Sequence, residues 1–484
     1  MMRSPGVSSS LSGALVIGTV VASAVLLRGG FFEAGQSVFV LLAGVAFAAA
    51  VIRDEEQTPR TMRSAPVVVL ALLGAVALVS AIWTVGDSGD AARTGCVILG
   101  LAALTVASAV LCSGATGAER LATGIALVAG LAALAGLAGI VLRDEPWAER
   151  IGGSWRAGGP FEYPPALALL QVSALPILLV GMATGRRAVV PAATLGATLA
   201  AVVIALSESR LQVALGCAVL VVAVVWSRQT LGISSARPFA AAVLLVVVGI
   251  LAAVLLGGYT TPGVTRGADE RLLELLVLVG GASVVWLVLR SHLAGRTYRQ
   301  AGSGARAYPI SSGRLAVVAA VGGVILVTAT LAVSAPVDGS GGFTHGRLDL
   351  WSGALEAAAE RPLLGWGAGS FFEATDSFQG TNAIRFAHNL PIELAVELGI
   401  LGLLLGLAFY GVCSLALLRA RDARLLWLLG PAVAAFLVTN LVDWQWHFAG
   451  SAAIFAAALG PLIARPWRPN RCNAELAEAQ TAKS

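Results

Sequence analysis

Residues 344–412 read THGRLDLWSGALEAAAERPLLGWGAGSFFEATDSFQGTNAIRFAHNLPIELAVELGILGLLLGLAFYGV. From Leu390 onward this is an apolar run of about 23 residues, long enough to cross the hydrocarbon core of a bilayer. What precedes it is the longest polar stretch in the chain that still carries a structural pattern. Leu348, Trp351, Leu355 and Ala358 recur at helical spacing. Pro362 stops that helix, and a turn punctuated by Gly365, Gly367 and Gly369 follows. His388 and Asn389 stand immediately before the apolar run, which carries Pro391 in its first turn.

The rest of the chain repeats the apolar half of this pattern. Of 484 residues, 57% are apolar and 12% are charged, with a mean hydropathy of +0.84; a soluble protein carries about 25% charged residues. The runs lack alternation and far exceed the roughly ten residues of a barrel strand, which excludes a β-barrel. The sequence therefore predicts an all-α integral membrane protein of about 12–14 transmembrane helices with one long, partly helical extracytoplasmic loop. Fourteen spans are placed at 11–27, 34–52, 66–85, 94–112, 121–142, 164–184, 188–206, 211–226, 238–257, 272–289, 315–334, 390–412, 425–441 and 448–464. The first reads as a retained span, with Arg3 before it and no small-residue cleavage site after it. One transmembrane domain over 1–465, including the loop at 335–389, is followed by a polar, disordered cytoplasmic tail at 466–484.

Charge sets the orientation. With the N-terminus in the cytoplasm, 21 of the 32 basic residues fall inside and 11 outside, while 7 of the 27 acidic residues fall inside and 20 outside. The difference is +14 inside and −9 outside, which matches the overall +5. The pI near 9.2 is thus a topology signal and not a nucleic-acid footprint. Both termini are expected in the cytoplasm of a multi-pass protein of the plasma (inner) membrane. Lys483 is the sole lysine, a codon bias from which no mechanism follows. Five scattered cysteines without a C-x-x-C pair predict neither a disulfide framework nor a thiolate metal site.

Against an acidic outer face the arginines there stand out. Arg210 ends the SESR turn at 207–210, Arg347 begins the loop helix with Trp351 one turn on, and Arg385 lies three residues before His388. The planar guanidinium suits phosphate through paired, charge-assisted hydrogen bonds. Asn389 is the expected N-cap of the following span. The positive end of that helix attracts an anion and favours the neutral, proton-accepting form of His388. Glu397, two turns into the span, is a costly carboxylate of the kind that is paired or functional. On spacing alone these residues fit interfacial anchors and caps as well as a site, and Trp351, Trp366, Trp444 and Trp446 fit an aromatic belt. His345 and His447 have no comparable setting, and His292 falls on the cytoplasmic side.

These pieces resemble the O-antigen ligase and polymerase superfamily of membrane glycosyltransferases. The resemblance rests on G-R-x-x-x-W (Gly346, Arg347, Trp351), RPLLGWGAGSF (Arg361–Phe371), His388-Asn389 and E-x-G-I-x-G (Glu397, Gly399, Ile400, Gly402). SESR and GGPFEYPPALA (Gly158–Ala168) resemble two upstream elements, with Tyr163-Pro164-Pro165 where the family often has Asn. The resemblance implies a glycan donor on polyprenyl pyrophosphate and an acceptor hydroxyl on a glycan, lipid or protein, joined outside the cytoplasm with no metal or other cofactor. It implies that Arg210 and Arg347 hold the pyrophosphate and that His388 activates or positions the acceptor; Arg385, Trp351, Asn389 and Glu397 are the expected substrate contacts. The ligase reading comes first, a polymerase of the same superfamily second, and a lipid-linked glycan flippase or transporter is the rival from another class.

Overall fold

The computed structural model describes residues 7–151, 154–183, 189–230, 236–256, 267–297, 347–379 and 384–464. The expected span at 315–334, the loop start at 335–346 and the tail at 466–484 lie outside the described residues. The remaining expected spans all coincide with helices: α1 (Val7–Leu26), α2 (Glu33–Arg53), α4 (Ala65–Val79), α5 (Ser88–Leu111), α6 (Gly114–Leu142), α7 (Pro164–Ala183), α8 (Val189–Leu206), α9 (Arg210–Thr230), α10 (Ala236–Leu256), α11 (Ala268–Thr297), α14 (Leu390–Arg419), α15 (Ala423–Thr439) and α16 (Ala449–Ile463). A short α3 (Gln57–Met62) joins α2 to α4, and the polar loop contributes α12 (Arg347–Glu360) and α13 (Phe371–Gln379). Among the described residues seven helices are long and apolar enough to cross a membrane. The chain is an all-α, multi-pass membrane protein.

Close approach of small residues assembles the bundle, since lipid supplies no hydrophobic drive for helix pairing. α16 is buried from Ala449 to Pro461. A Cβ added at its Gly460 would stand 2.7 Å from the Ala109 nitrogen of α5, and Ser108 donates a hydrogen bond to the Ala457 carbonyl at 2.7 Å.

Among the described residues the connections gather at two ends. At one end Gln57 of α3 donates to the Ala109 carbonyl at 3.4 Å, and Arg424 pairs with Glu119 at 3.0 Å. The other, the site end, gathers the turn at Arg28–Gly30, an antiparallel hairpin of β1 (Ala148–Ile151) and β2 (Ser154–Ala157), the 207–209 turn, α12, α13 and the α15–α16 turn.

One expectation needs correction. The span placed at 390–412 continues to Arg419 and is broken at Gly399, whose φ of 63° and ψ of −154° only glycine adopts readily. The break frees backbone groups that the glycine-rich turn then satisfies. Trp366 N–H donates to the Val396 carbonyl at 3.0 Å, Gly367 N–H to that of Glu397 at 2.7 Å, and Ile400 N–H to that of Pro362 at 2.7 Å. From Ile400 to Arg419 the helix is about 30 Å long, the thickness of the hydrocarbon core. Residues before Gly399 form a separate buried helical segment. α12 has the expected helical period, and its buried face is Leu350, Gly353, Ala354 and Ala357, with Leu348 and Leu355 exposed. The small residues win that face because Phe378 of α13 lies against Gly353, where a Cβ would meet its Cβ at 2.7 Å.

Gly399→Ala places a Cβ 2.6 Å from the Leu363 carbonyl carbon at a backbone angle that L residues avoid. It is expected to cost about 3 kcal/mol or more. Gly411→Ala, in the same helix with nothing within 4 Å, is expected to be neutral or stabilising by about 0.5–1 kcal/mol. Thermal unfolding of the two purified variants in detergent checks the contrast.

Candidate active site

The segment Phe386–Leu390 enters α14 through the cap expected from the sequence. Asn389 accepts the Ile392 N–H at 3.0 Å, and its amide donates to the Leu441 carbonyl at 2.9 Å. Leu390 N–H donates to the Asn440 carbonyl at 2.8 Å. Both ends of the Asn389 side chain are therefore spent on locking this segment to the α15–α16 turn. Ala387 is held twice more: its N–H donates to Glu393 Oε2 at 3.0 Å, and its carbonyl accepts the Trp351 indole N–H at 2.8 Å. Between these fixed points His388 adopts φ +52°, in the left-handed region. A non-glycine residue stays there only when its surroundings impose it.

His388 faces Asp443, with Nδ1 3.6 Å from Oδ1. Asp443 is 7% exposed and collects donors from three further groups. Tyr163 O–H reaches Oδ1 at 2.8 Å, the Trp444 N–H reaches it at 2.9 Å, and the Gln445 amide reaches Oδ2 at 2.9 Å. Burial works against the charged form of Asp443, but the contacts with His388, Gln445 and the Trp444 N–H outweigh it and hold the carboxyl below its ordinary range. Burial, reinforced by the Asp443 charge, pushes the Tyr163 phenol well above its ordinary value, so it remains a donor. The Trp444 indole N–H donates to the Tyr163 oxygen at 2.9 Å, and rings of Phe31, Phe386 and Phe448 pack around Trp444.

The arginines approach the same turn. Arg347, half-buried, donates to the Val442 carbonyl, one residue from Asp443, and lies close enough to the Tyr163 phenol to act on it electrostatically. A guanidinium has five N–H donors, so this contact leaves others for a ligand. Arg210 is exposed at the start of α9. Its turn is fixed by Glu208, which pairs with Arg156 at 3.0 Å and accepts from Ser154 at 2.8 Å. Two residues on, buried Gln212 donates to Thr439 at 3.1 Å, so α9 begins beside the end of α15.

The other expected contacts have structural partners of their own. Arg385 is 66% exposed and pairs with Asp90 at 3.4 Å. Glu397, 5% exposed, accepts the Phe371 N–H at 3.3 Å and so caps α13. Trp351 and Trp366 donate to the Ala387 and Ala357 carbonyls, and Trp446 is buried against Phe409; none of the three needs the belt role. Sequence reasoning passed over Tyr163, Glu393, Asp443 and His447. His447 Nε2 lies 2.6 Å from Glu393 Oε1, beneath the Phe386 ring at 3.9 Å. The available signal was the density of Asp443, Gln445 and His447 in one short turn between two spans. Among the described residues no group of three His, Cys, Asp or Glu side chains is placed to hold a metal ion.

The arrangement is a histidine facing a buried carboxylate, with the Arg347 guanidinium anchored at the residue before that carboxylate. It can accept a proton at the free imidazole nitrogen and bind an anion beside it. Residues 195–407, a stretch that contains Arg210, Arg347 and His388, match the family model for O-antigen ligase. No curated protein matches the chain.

A carboxyl whose pKa is lower folded than unfolded stabilises the protein above the unfolded value, and this is lost as pH falls through the folded value. Asp443 is therefore expected to make the wild-type unfolding temperature fall on acidification below about pH 4. Asp443→Asn is expected to flatten that dependence. Melting curves of the two proteins from pH 7 downward test this.

Proposed function

We propose that this chain, whose residues 195–407 match the family model for O-antigen ligase, transfers a glycan from a polyprenyl-pyrophosphate carrier to an acceptor hydroxyl. The site end lies on the extracytoplasmic side and both termini in the cytoplasm, a reading that rests on the excess of basic residues in the connections at the opposite end. The ligase reading, in which a finished oligo- or polysaccharide is handed to an acceptor, stands ahead of the polymerase reading.

The observation that carries the proposal is the His388–Asp443 pair, 3.6 Å apart, with Arg347 anchored one residue away at Val442. The Asp443 carboxylate faces Nδ1 across 3.6 Å, longer than a hydrogen bond; closing that gap on substrate binding selects the tautomer whose Nε2 is unprotonated and stabilises the imidazolium formed later. Nε2 takes the proton of the acceptor hydroxyl as its oxygen attacks the anomeric carbon of the donor. The bond from that carbon to the pyrophosphate oxygen breaks, and the configuration inverts. The carrier pyrophosphate departs with its charge met by Arg347 and Arg210, which act where charge develops. Tyr163 serves through Asp443, and Trp351, Asn389 and Glu393 serve through the backbone of His388. Arg385 and Glu397 have structural partners and enter the mechanism only if substrate displaces them.

The test is the pool of lipid-linked glycan in cells carrying the wild type, a deletion or His388→Ala at matched expression. A general base is worth about 10²–10⁴ in rate, so deletion and His388→Ala are both expected to accumulate an outward-facing lipid-linked glycan. Long chains in that pool identify a ligase, and single repeat units a polymerase. An unchanged pool in the deletion contradicts glycosyl transfer. A change in the deletion alone removes His388 from the mechanism and favours a flippase.

A further inference from the structure

The turn Arg361–Gly367 projects two leucines that no other described residue covers. Leu363 is 72% exposed and Leu364 57%. Their neighbours on either side are apolar and equally uncovered. Ile400, whose N–H is bonded to Pro362, continues into Leu401, Leu404 and Leu407 along the outward side of α14. Ile82, 84% exposed, ends α4 next to Trp83, whose indole N–H donates to the Leu364 carbonyl at 3.1 Å.

We propose that this turn is immersed in the bilayer, with Leu363 and Leu364 among the acyl chains of the leaflet on the site side. The helix lengths place it there. From Ile400 to Arg419 is about 30 Å, one hydrocarbon thickness. The helical stretch Ala65–Ile82, with Arg63 just before it, measures about 27 Å. Measured from their polar ends at Arg63 and Arg419, both helices reach the opposite boundary at the level of Ile82 and Ile400, where the turn bridges them. Most of its carbonyls are met, as surroundings of lipid require. The carbonyls of Arg361, Pro362, Leu364 and Trp366 accept from Gly365, Ile400, the Trp83 indole and Val85, and Pro362 has no N–H to satisfy. Trp83 flanks the leucines as an interfacial aromatic does, and the Arg361 guanidinium lies 4.0 Å above the Trp366 ring, able to lift its charge toward the headgroups.

The occupant is lipid and not a protein partner because the patch is continuous with the lipid-facing side of a membrane-crossing helix. The consequence is that the polar loop is tethered to the membrane at its middle, between α12, which carries Arg347, and α13. This inference concerns the position of the turn and stands or falls independently of glycosyl transfer.

The test uses the wild-type protein in phosphatidylethanolamine–phosphatidylglycerol vesicles containing a phospholipid with a diazirine in its acyl chain. A parallel sample receives a water-soluble diazirine. After photolysis, labelled peptides are located by mass spectrometry. The Leu363–Leu364 peptide is expected to take the lipid label as the Leu401–Leu407 peptide does, and to lose aqueous labelling relative to exposed Asp376 in α13. Aqueous labelling of Leu363–Leu364 at the level of Asp376, or no lipid label where Leu401–Leu407 is labelled, overturns the proposal.

Discussion

A buried carboxylate must be met on all sides, and at Asp443 that requirement organises the site. The residue sits in the short turn between α15 and α16, and its partners come from widely separated parts of the chain: Tyr163 before α7, His388 before α14, and Trp444 and Gln445 of its own turn. Removing any one donor leaves charge or hydrogen-bonding capacity unmet in a place where water does not compensate. The neighbouring backbone is fixed by the same logic, with Leu441, Val442 and Asn440 offering carbonyls to Asn389, Arg347 and Leu390. One turn therefore sets the register between the histidine, the arginine and the helix that carries them.

His388 is held in a conformation its own backbone disfavours. Glu393 and Trp351 grip the preceding peptide from both faces, and Asn389 ties the following residue down on both ends of its amide. His447 occupies the second oxygen of Glu393, which leaves that carboxylate no freedom to release Ala387. Rigid first contacts backed by further hydrogen bonds are what a proton acceptor needs when the acceptor hydroxyl arrives on a flexible glycan. The break at Gly399 matters for the same reason. It separates the membrane-crossing part of α14 from the segment Leu390–Leu398, so the residues that hold His388 are packed against protein and not against lipid.

Much of this was legible before any coordinates. Apolar runs located the described helices. The order Pro362, Gly365, Gly367, Gly369 announced a turn, and all three glycines have positive φ. The N-cap at Asn389 followed from the Asn-Leu-Pro order. What was not legible depends on pairing across long separations. Nothing local to Asp443 or Tyr163 signals that they meet, since 280 residues separate them. The buried face of α12 was not legible, because periodicity cannot tell a leucine facing lipid or solvent from one facing protein. Here the small residues, not the large ones, mark the contact. Glu397 looked like a mid-span carboxylate only because the glycine break two residues later was hidden within an unbroken apolar run.

The central claim is that His388 and Asp443 act as one unit in transfer to the acceptor. The direct test is the transfer rate of purified protein in vesicles, with a polyprenyl-pyrophosphate glycan and an acceptor, for His388→Gln, Asp443→Asn and the double variant. Residues that work through one another are not additive. The account predicts that the double variant is no slower than His388→Gln alone. Losses that multiply, so that Asp443→Asn slows His388→Gln by as much as it slows the wild type, would contradict it.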